Sequence, residues 1–236
     1  MNLPEHVEAG LNLFLESARA AFGANLRSAV LFGSAAEGKL RKTSDVNLLL
    51  VLRAIERSQL DAIREPLRVA RAAIQLEPMF ILDSELAEAA EAFANKFEDI
   101  RRRHAIVHGD DMISTLTISR DALLRRVRQV LLNQTLRLRD IYAERSLREE
   151  QAALAVADAA GTLRTAAASI LELEGRDASD PKAALAMLAN EGGFGDVLPR
   201  LSEAREQRVL APGAAAATLF EVARLARWLY ERAAAL

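Results

Sequence analysis

Asp45 and Asn47 stand two residues apart near the end of the stretch VLFGSAAEGKLRKTSDVNLLLVL, which runs from Val30 to Leu52. On a β-strand such a pair projects from one face, while Val46 and Leu48 enter the opposite core. Two carboxylates placed this way hold a divalent cation, which neutralises a triphosphate and orients an attacking hydroxyl for in-line displacement. The second position is an asparagine, nearly isosteric with aspartate but uncharged, and only its carbonyl oxygen can approach a hard cation. Upstream, Gly33-Ser34 closes a short apolar run. Glycine lets a ligand come close to the backbone, and the turn offers N–H groups and a hydroxyl to phosphate oxygens. Lys39, Arg41 and Lys42 lie in the intervening loop and can meet the same phosphates. The segment matches neither the Walker A pattern nor the dinucleotide fingerprint.

The elements that must position these residues can be read from periodicity. Leu11, Phe14, Leu15, Ala18 and Phe22 recur at helical spacing between Pro4 and Gly23. RSAVLFG and VNLLLVL read as buried strands, and Glu56 to Ala73, with Leu60, Ile63, Leu67 and Ala70 on one face, reads as the crossover helix between parallel strands. IQLEPMFIL is a third strand, which Pro78 confines to a sheet edge or interrupts. A helix from about Ser84 to Asn95 follows, completing a small mixed α/β arrangement. Past Thr117 only helical patterns appear. Ser119 caps a long helix, a second runs from about Arg148 to Leu173, Asp180-Pro181 opens a third that Gly192-Gly193 stops, and a last one carries Leu219 to Leu229. Four or five such helices make a bundle. The expected division is therefore 1–116 and 117–236.

Composition bounds the alternatives. The chain has 236 residues, half of them apolar, and a net charge of -2, so it can bury a core and shows no bulk attraction to a polyanion or a membrane surface. Nucleic acid is accordingly not an expected partner. With no cysteine, disulfides, thiolate nucleophiles and cysteine-based zinc sites are excluded. MNLPEHVEAG carries no secretory leader pattern, and a cytoplasmic location is the expectation.

The stretch LFGSAAEGKLRKTSDVNLLLVL resembles the signature of the nucleotidyltransferase superfamily related to DNA polymerase beta, in particular its small bacterial members. Gly33, Ser34, Ser44 and Asp45 fall in register with that signature, and Asn47 stands where its second aspartate belongs. The resemblance implies an α+β fold, with a small mixed-sheet nucleotidyltransferase-like domain followed by an all-α helical bundle. It implies transfer of a nucleoside monophosphate from an NTP, ATP foremost, to a hydroxyl acceptor. Gly33, Ser34, Lys42 and Ser44 would bind the nucleotide, and Asp45 with Asn47 would hold Mg2+. It also implies a third carboxylate serving as base, for which Glu77 is the first candidate. Glu98 is the second, because the resemblance continues through FEDIRRRHAIVHGDD. The asparagine leaves three states open: a chain that binds nucleotide or a protein partner without turnover, an altered metal arrangement, or a substitution introduced to trap a complex. The alternative to an enzyme is an antitoxin-like or nucleotide-sensing module whose bundle binds another chain or itself.

Other signals carry less. His104 and His108 stand four apart in a strand-like segment without the glutamate of zinc peptidases. Arg125, Arg126, Arg128, Arg137 and Arg139 read as a solvated helix face, or as cations for a triphosphate or an acidic acceptor. Trp228 and Tyr230 read as core or interface residues.

Overall fold

The computed structural model describes residues 3–41 and 44–236. They form two compact units, Met1–Glu91 with Asp99–Thr117, and Ala92–Glu98 with Ile118–Leu236.

In the first unit the order is α1 (Glu5–Phe22), β1 (Leu26–Phe32), β2 (Val46–Leu52), α2 (Arg57–Ile74), β3 (Leu76–Leu82), α3 (Leu86–Ala92), α4 (Ala94–Arg102) and β4 (His104–Gly109), with α4 continuing from the second unit. The strands lie in the order β3-β2-β1-β4; β1 is antiparallel to β2 and β4, and β3 is parallel to β2. The β2–α2–β3 crossover is the one that the run-then-helix pattern requires. Every residue of β2 except Asn47 is fully buried, as expected of a central strand covered on both faces. Val46, Leu48, Leu50 and Leu52 join Leu11, Phe14, Ile63 and Ala70 of α1 and α2 in one core. Pro78 does not interrupt β3, because an edge strand has one side whose donors meet no ladder. The segment expected as one helix near 84–95 is instead a short 3-10 turn, α3, a break near Phe93, and α4. The HAIVHG segment is a true fourth strand.

The second unit adds α5 (Arg120–Arg145), α6 (Glu149–Leu173), α7 (Pro181–Glu191), α8 (Leu198–Gln207) and α9 (Ala215–Ala234). Ser119 Oγ accepts the N–H of Ala122, and Asp180 accepts those of Lys182 and Ala183, so both expected caps close their helices. Of the helices described, α6 is long and apolar enough to cross a membrane, yet 67% of its apolar window is buried as the centre of this unit. Residues 92–98 pack with these helices: Ala94 joins their core, and buried Ser169 Oγ donates to buried Asn95 Oδ1 at 2.7 Å.

Candidate functional site

Strand register brings the chemistry-bearing residues together. Asn47 pairs with Phe32 on one side and with Glu77 on the other, and Phe32 pairs in turn with His104. The row Glu77, Asn47, Phe32, His104 therefore crosses all four strands. Val46 and Leu48 point into the core with α1 and α2, so alternation puts Asn47 on the opposite face. Asp45 lies one residue before β2 and is exposed, and Asn47 Nδ2 reaches its carbonyl at 3.4 Å. That weak tether orients the asparagine amide locally.

Phe32 and Asn47 form the last pair of their ladder, so the turn that follows Phe32 starts beside Asn47. Gly33 takes φ 72°, and a Cβ built there would meet nothing within 4 Å. The space at that position is open although the residue itself is buried, and its positive φ is a conformation that favours glycine. Its N–H is already used, donating to the Arg103 carbonyl at 2.9 Å. The turn then closes on itself: Glu37 N–H donates to Gly33 O, Gly38 N–H to Ala35 O, and Lys39 N–H to Ser34 O. The N–H groups of Ser34, Ala35 and Ala36 meet no acceptor among the described residues. Ala35 is fully buried, so its amide lies out of a ligand's reach, whereas Ser34 and Ala36 are partly exposed and offer two free amides of this tight turn to a phosphate.

Electrostatics stiffen this turn from below. The Arg103 guanidinium donates to Glu37 at 3.0 Å and pairs with Asp99, and Glu37 also accepts from Lys39 at 3.0 Å. Burial opposes the charge on Arg103, but Asp99 and then Glu37 outweigh it, and the guanidinium is held above its ordinary value. Ser44 is engaged with Arg41, whose Nε and backbone N–H both approach its hydroxyl at 3.3 Å. Lys42, expected to meet phosphate, lies outside the described residues.

Glu77 sits on the edge strand, its side chain about half exposed, and accepts from Arg71 at 2.9 Å. An exposed pair of this kind contributes about 0–1 kcal/mol, so a ligand can displace Arg71 at small cost. Glu98, the other candidate base, is buried on α4 in the segment that packs with the helical unit. It has no place in the strand row. His104 and His108 do not converge as metal ligands. His104 Nδ1 donates toward the carbonyls of Ile100 and Arg101, its Nε2 lies 3.4 Å from Asp111, and His108 pairs with Ala29. Asp111 accepts from the hydroxyl and backbone of Ser114, then from Ile113 and His104, and its carboxyl is lowered to about 2.

Among the described residues no cluster of three His, Cys, Asp or Glu could hold a metal ion by itself. The donors present fit a more limited role. Magnesium is commonly held by one or two carboxylates together with substrate phosphates; exposed Asp45 could offer one carboxylate and Asn47 one amide oxygen to such an ion. Sequence reasoning assigned the N–H donor role to the Gly33-Ser34 turn; the structure engages the N–H of Gly33 with Arg103 and leaves that of Ser34 free. That reasoning missed the Glu37, Arg103 and Asp99 brace, whose members are 66 residues apart at the widest and carry no local signal.

No protein-family model matches the chain, and no curated protein matches it. Among solved structures the chain is similar to the spectinomycin adenyltransferase AAD(9) from Enterococcus faecialis, whose crystal structure contains ATP and spectinomycin. The TM-score is 0.65 at 13% sequence identity, over 96% of this chain and 99% of that one. The chain therefore has the nucleotidyltransferase fold, α+β with a helical C-terminal part.

Proposed function

We propose that this chain, which has the nucleotidyltransferase fold, transfers a nucleoside monophosphate from ATP to a hydroxyl of a small acceptor. The observation that carries the reading is the free, partly exposed amides of Ser34 and Ala36, on the turn that starts beside Asn47 and its register partner Glu77. The amides take triphosphate oxygens, and open space over Gly33 admits them. Asp45 and the carbonyl of Asn47 would hold a magnesium ion arriving with the nucleotide, which would neutralise charge on the phosphates. Glu77, released from Arg71, accepts the proton of the acceptor hydroxyl. The hydroxyl oxygen then bonds to the α-phosphorus, the bond to the bridging oxygen breaks, and pyrophosphate leaves. Likeness to an adenyltransferase whose structure contains spectinomycin supports a polyhydroxylated, amine-bearing acceptor as the first class to try.

A second reading has its own support: Asn47 removes one negative charge from the cation-binding pair, and Glu77 is tied to Arg71. Under it the chain binds nucleotide without turnover. The test is pyrophosphate release from ATP and magnesium, with spectinomycin and related aminocyclitols as acceptors, using the native chain and Asn47→Asp. Acceptor-dependent release by the native chain supports transfer. Nucleotide binding with release only in Asn47→Asp supports the second reading, and absence of nucleotide binding in both would falsify the two together.

A further inference from the structure

The helical unit encloses a cavity of its own. Arg139 and Tyr142, one turn apart on α5, face a stripe of α9 that includes Phe220, Arg224, Arg227 and Trp228, and Phe194, after α7, closes one side. The volume is about 450 Å³, within the range of roughly 300–1,000 Å³ typical of small-molecule sites.

Its walls are aromatic and held in place. The Tyr142 and Phe220 rings lie 5.3 Å apart between centroids, and Phe194 and Trp228 lie 6.2 Å apart. Trp228 presses so closely on Gly192 that a Cβ there would come within 2.8 Å of the indole. The missing side chain lets the ring lie where it does. Phe220 is 49% exposed, so part of the aromatic lining is offered to solvent.

Charge at this cavity is predominantly positive. Arg224 stacks over Phe194 and pairs with Glu221, and Arg227 pairs with Glu231, the one acidic residue of the lining. Arg139 meets no acceptor among the described residues and is exposed. An aromatic slot takes a flat ring by stacking, and a free guanidinium beside it takes an anion through two parallel N–H bonds.

We infer that this cavity binds a planar aromatic ligand bearing an acidic group, with Arg139 as the partner of the anion and Phe220 and Trp228 as contacts for the ring. The inference is independent of nucleotide binding in the sheet unit. It explains a cation without a partner beside a half-exposed phenylalanine, a combination that packing alone does not require.

Trp228 is the chain's single tryptophan, so energy transfer from it reports on this cavity. The probes are 1-anilinonaphthalene-8-sulfonate and its uncharged counterpart N-phenyl-1-naphthylamine, titrated into the full chain. The sulfonate should show saturable transfer and bind about tenfold more tightly than the neutral probe, the size of one charge-assisted hydrogen-bonding contact. Arg139→Gln, at an exposed position, should erase that preference and leave the neutral probe unchanged, and Phe220→Ala should weaken both. Absence of saturable transfer, equal affinity of the two probes for the native chain, or a preference that survives Arg139→Gln would overturn the inference.

Discussion

Asn47→Asp should change stability in opposite directions with and without nucleotide. Asn47 and Glu77 are direct partners on adjacent strands, and such strands lie about 4.8 Å apart. A second carboxylate would then stand roughly 6 Å from that of Glu77; with an effective dielectric of about 50 for this half-exposed site, the repulsion is about 1 kcal/mol. Arg71 already balances Glu77 and does not cancel a second charge. The ligand-free variant should therefore melt about 2–4 °C below the native chain. With magnesium and ATP the added carboxylate becomes a cation ligand, and the order of midpoints should reverse. If about 3 kcal/mol of transition-state stabilisation returns with it, pyrophosphate release should rise about a hundredfold. Thermal unfolding followed by dye fluorescence, in each condition, reads the reversal. Equal destabilisation in both conditions would show that position 47 does not face a bound cation, and the reasoning would fail.

Arg103→Met should destabilise the sheet unit by about 2–3 kcal/mol, since breaking a buried ion pair costs about 3–5 kcal/mol and side-chain exposures of 15–21% among its partners soften that cost. Urea unfolding would measure it, and a change below about 0.5 kcal/mol, the range of ordinary surface substitutions, would remove Arg103 as the brace of the turn. Asp111 gives a pH signature: its folded carboxyl lies near 2 against an ordinary 3.8, so its stabilising effect is present above the ordinary value and is lost as pH falls toward 2. The stability gap between the native chain and Asp111→Ala should thus be widest near neutrality and close below pH 3; a gap that stays constant with pH would contradict the hydrogen bonding to Ser114.

How much of this could be read from the chain varies with the range of the interaction. Val46 to Leu52 announces a central strand because burial on both faces demands an unbroken apolar run, and Ser119 and Asp180-Pro181 announce helix starts because capping is local. Asn47 and Glu77 were legible as residue types, yet their partnership depends on the β2–β3 register, which the crossover helix sets. The assignment of residues 92–98 to the helical unit rests on Asn95 meeting Ser169, 74 positions away. Arg103 is the last of three consecutive arginines, which by itself marks no role; the role comes from Glu37, brought to it by the β1–β4 pairing. The free amide of Ala36 is invisible in sequence because an alanine advertises no chemistry, and only the backbone does.

The account stands or falls on whether the turn at 34–36 receives phosphate. Amide resonances of isotope-labelled protein, followed by NMR during titration with ATP and magnesium, test this directly. The largest saturable shifts should fall on the partly exposed amides of Ser34 and Ala36, with Asn47 also perturbed and Gly33 less so, because its N–H already donates to Arg103. Saturable shifts that leave these two amides unmoved, or no shifts at millimolar nucleotide, would contradict it.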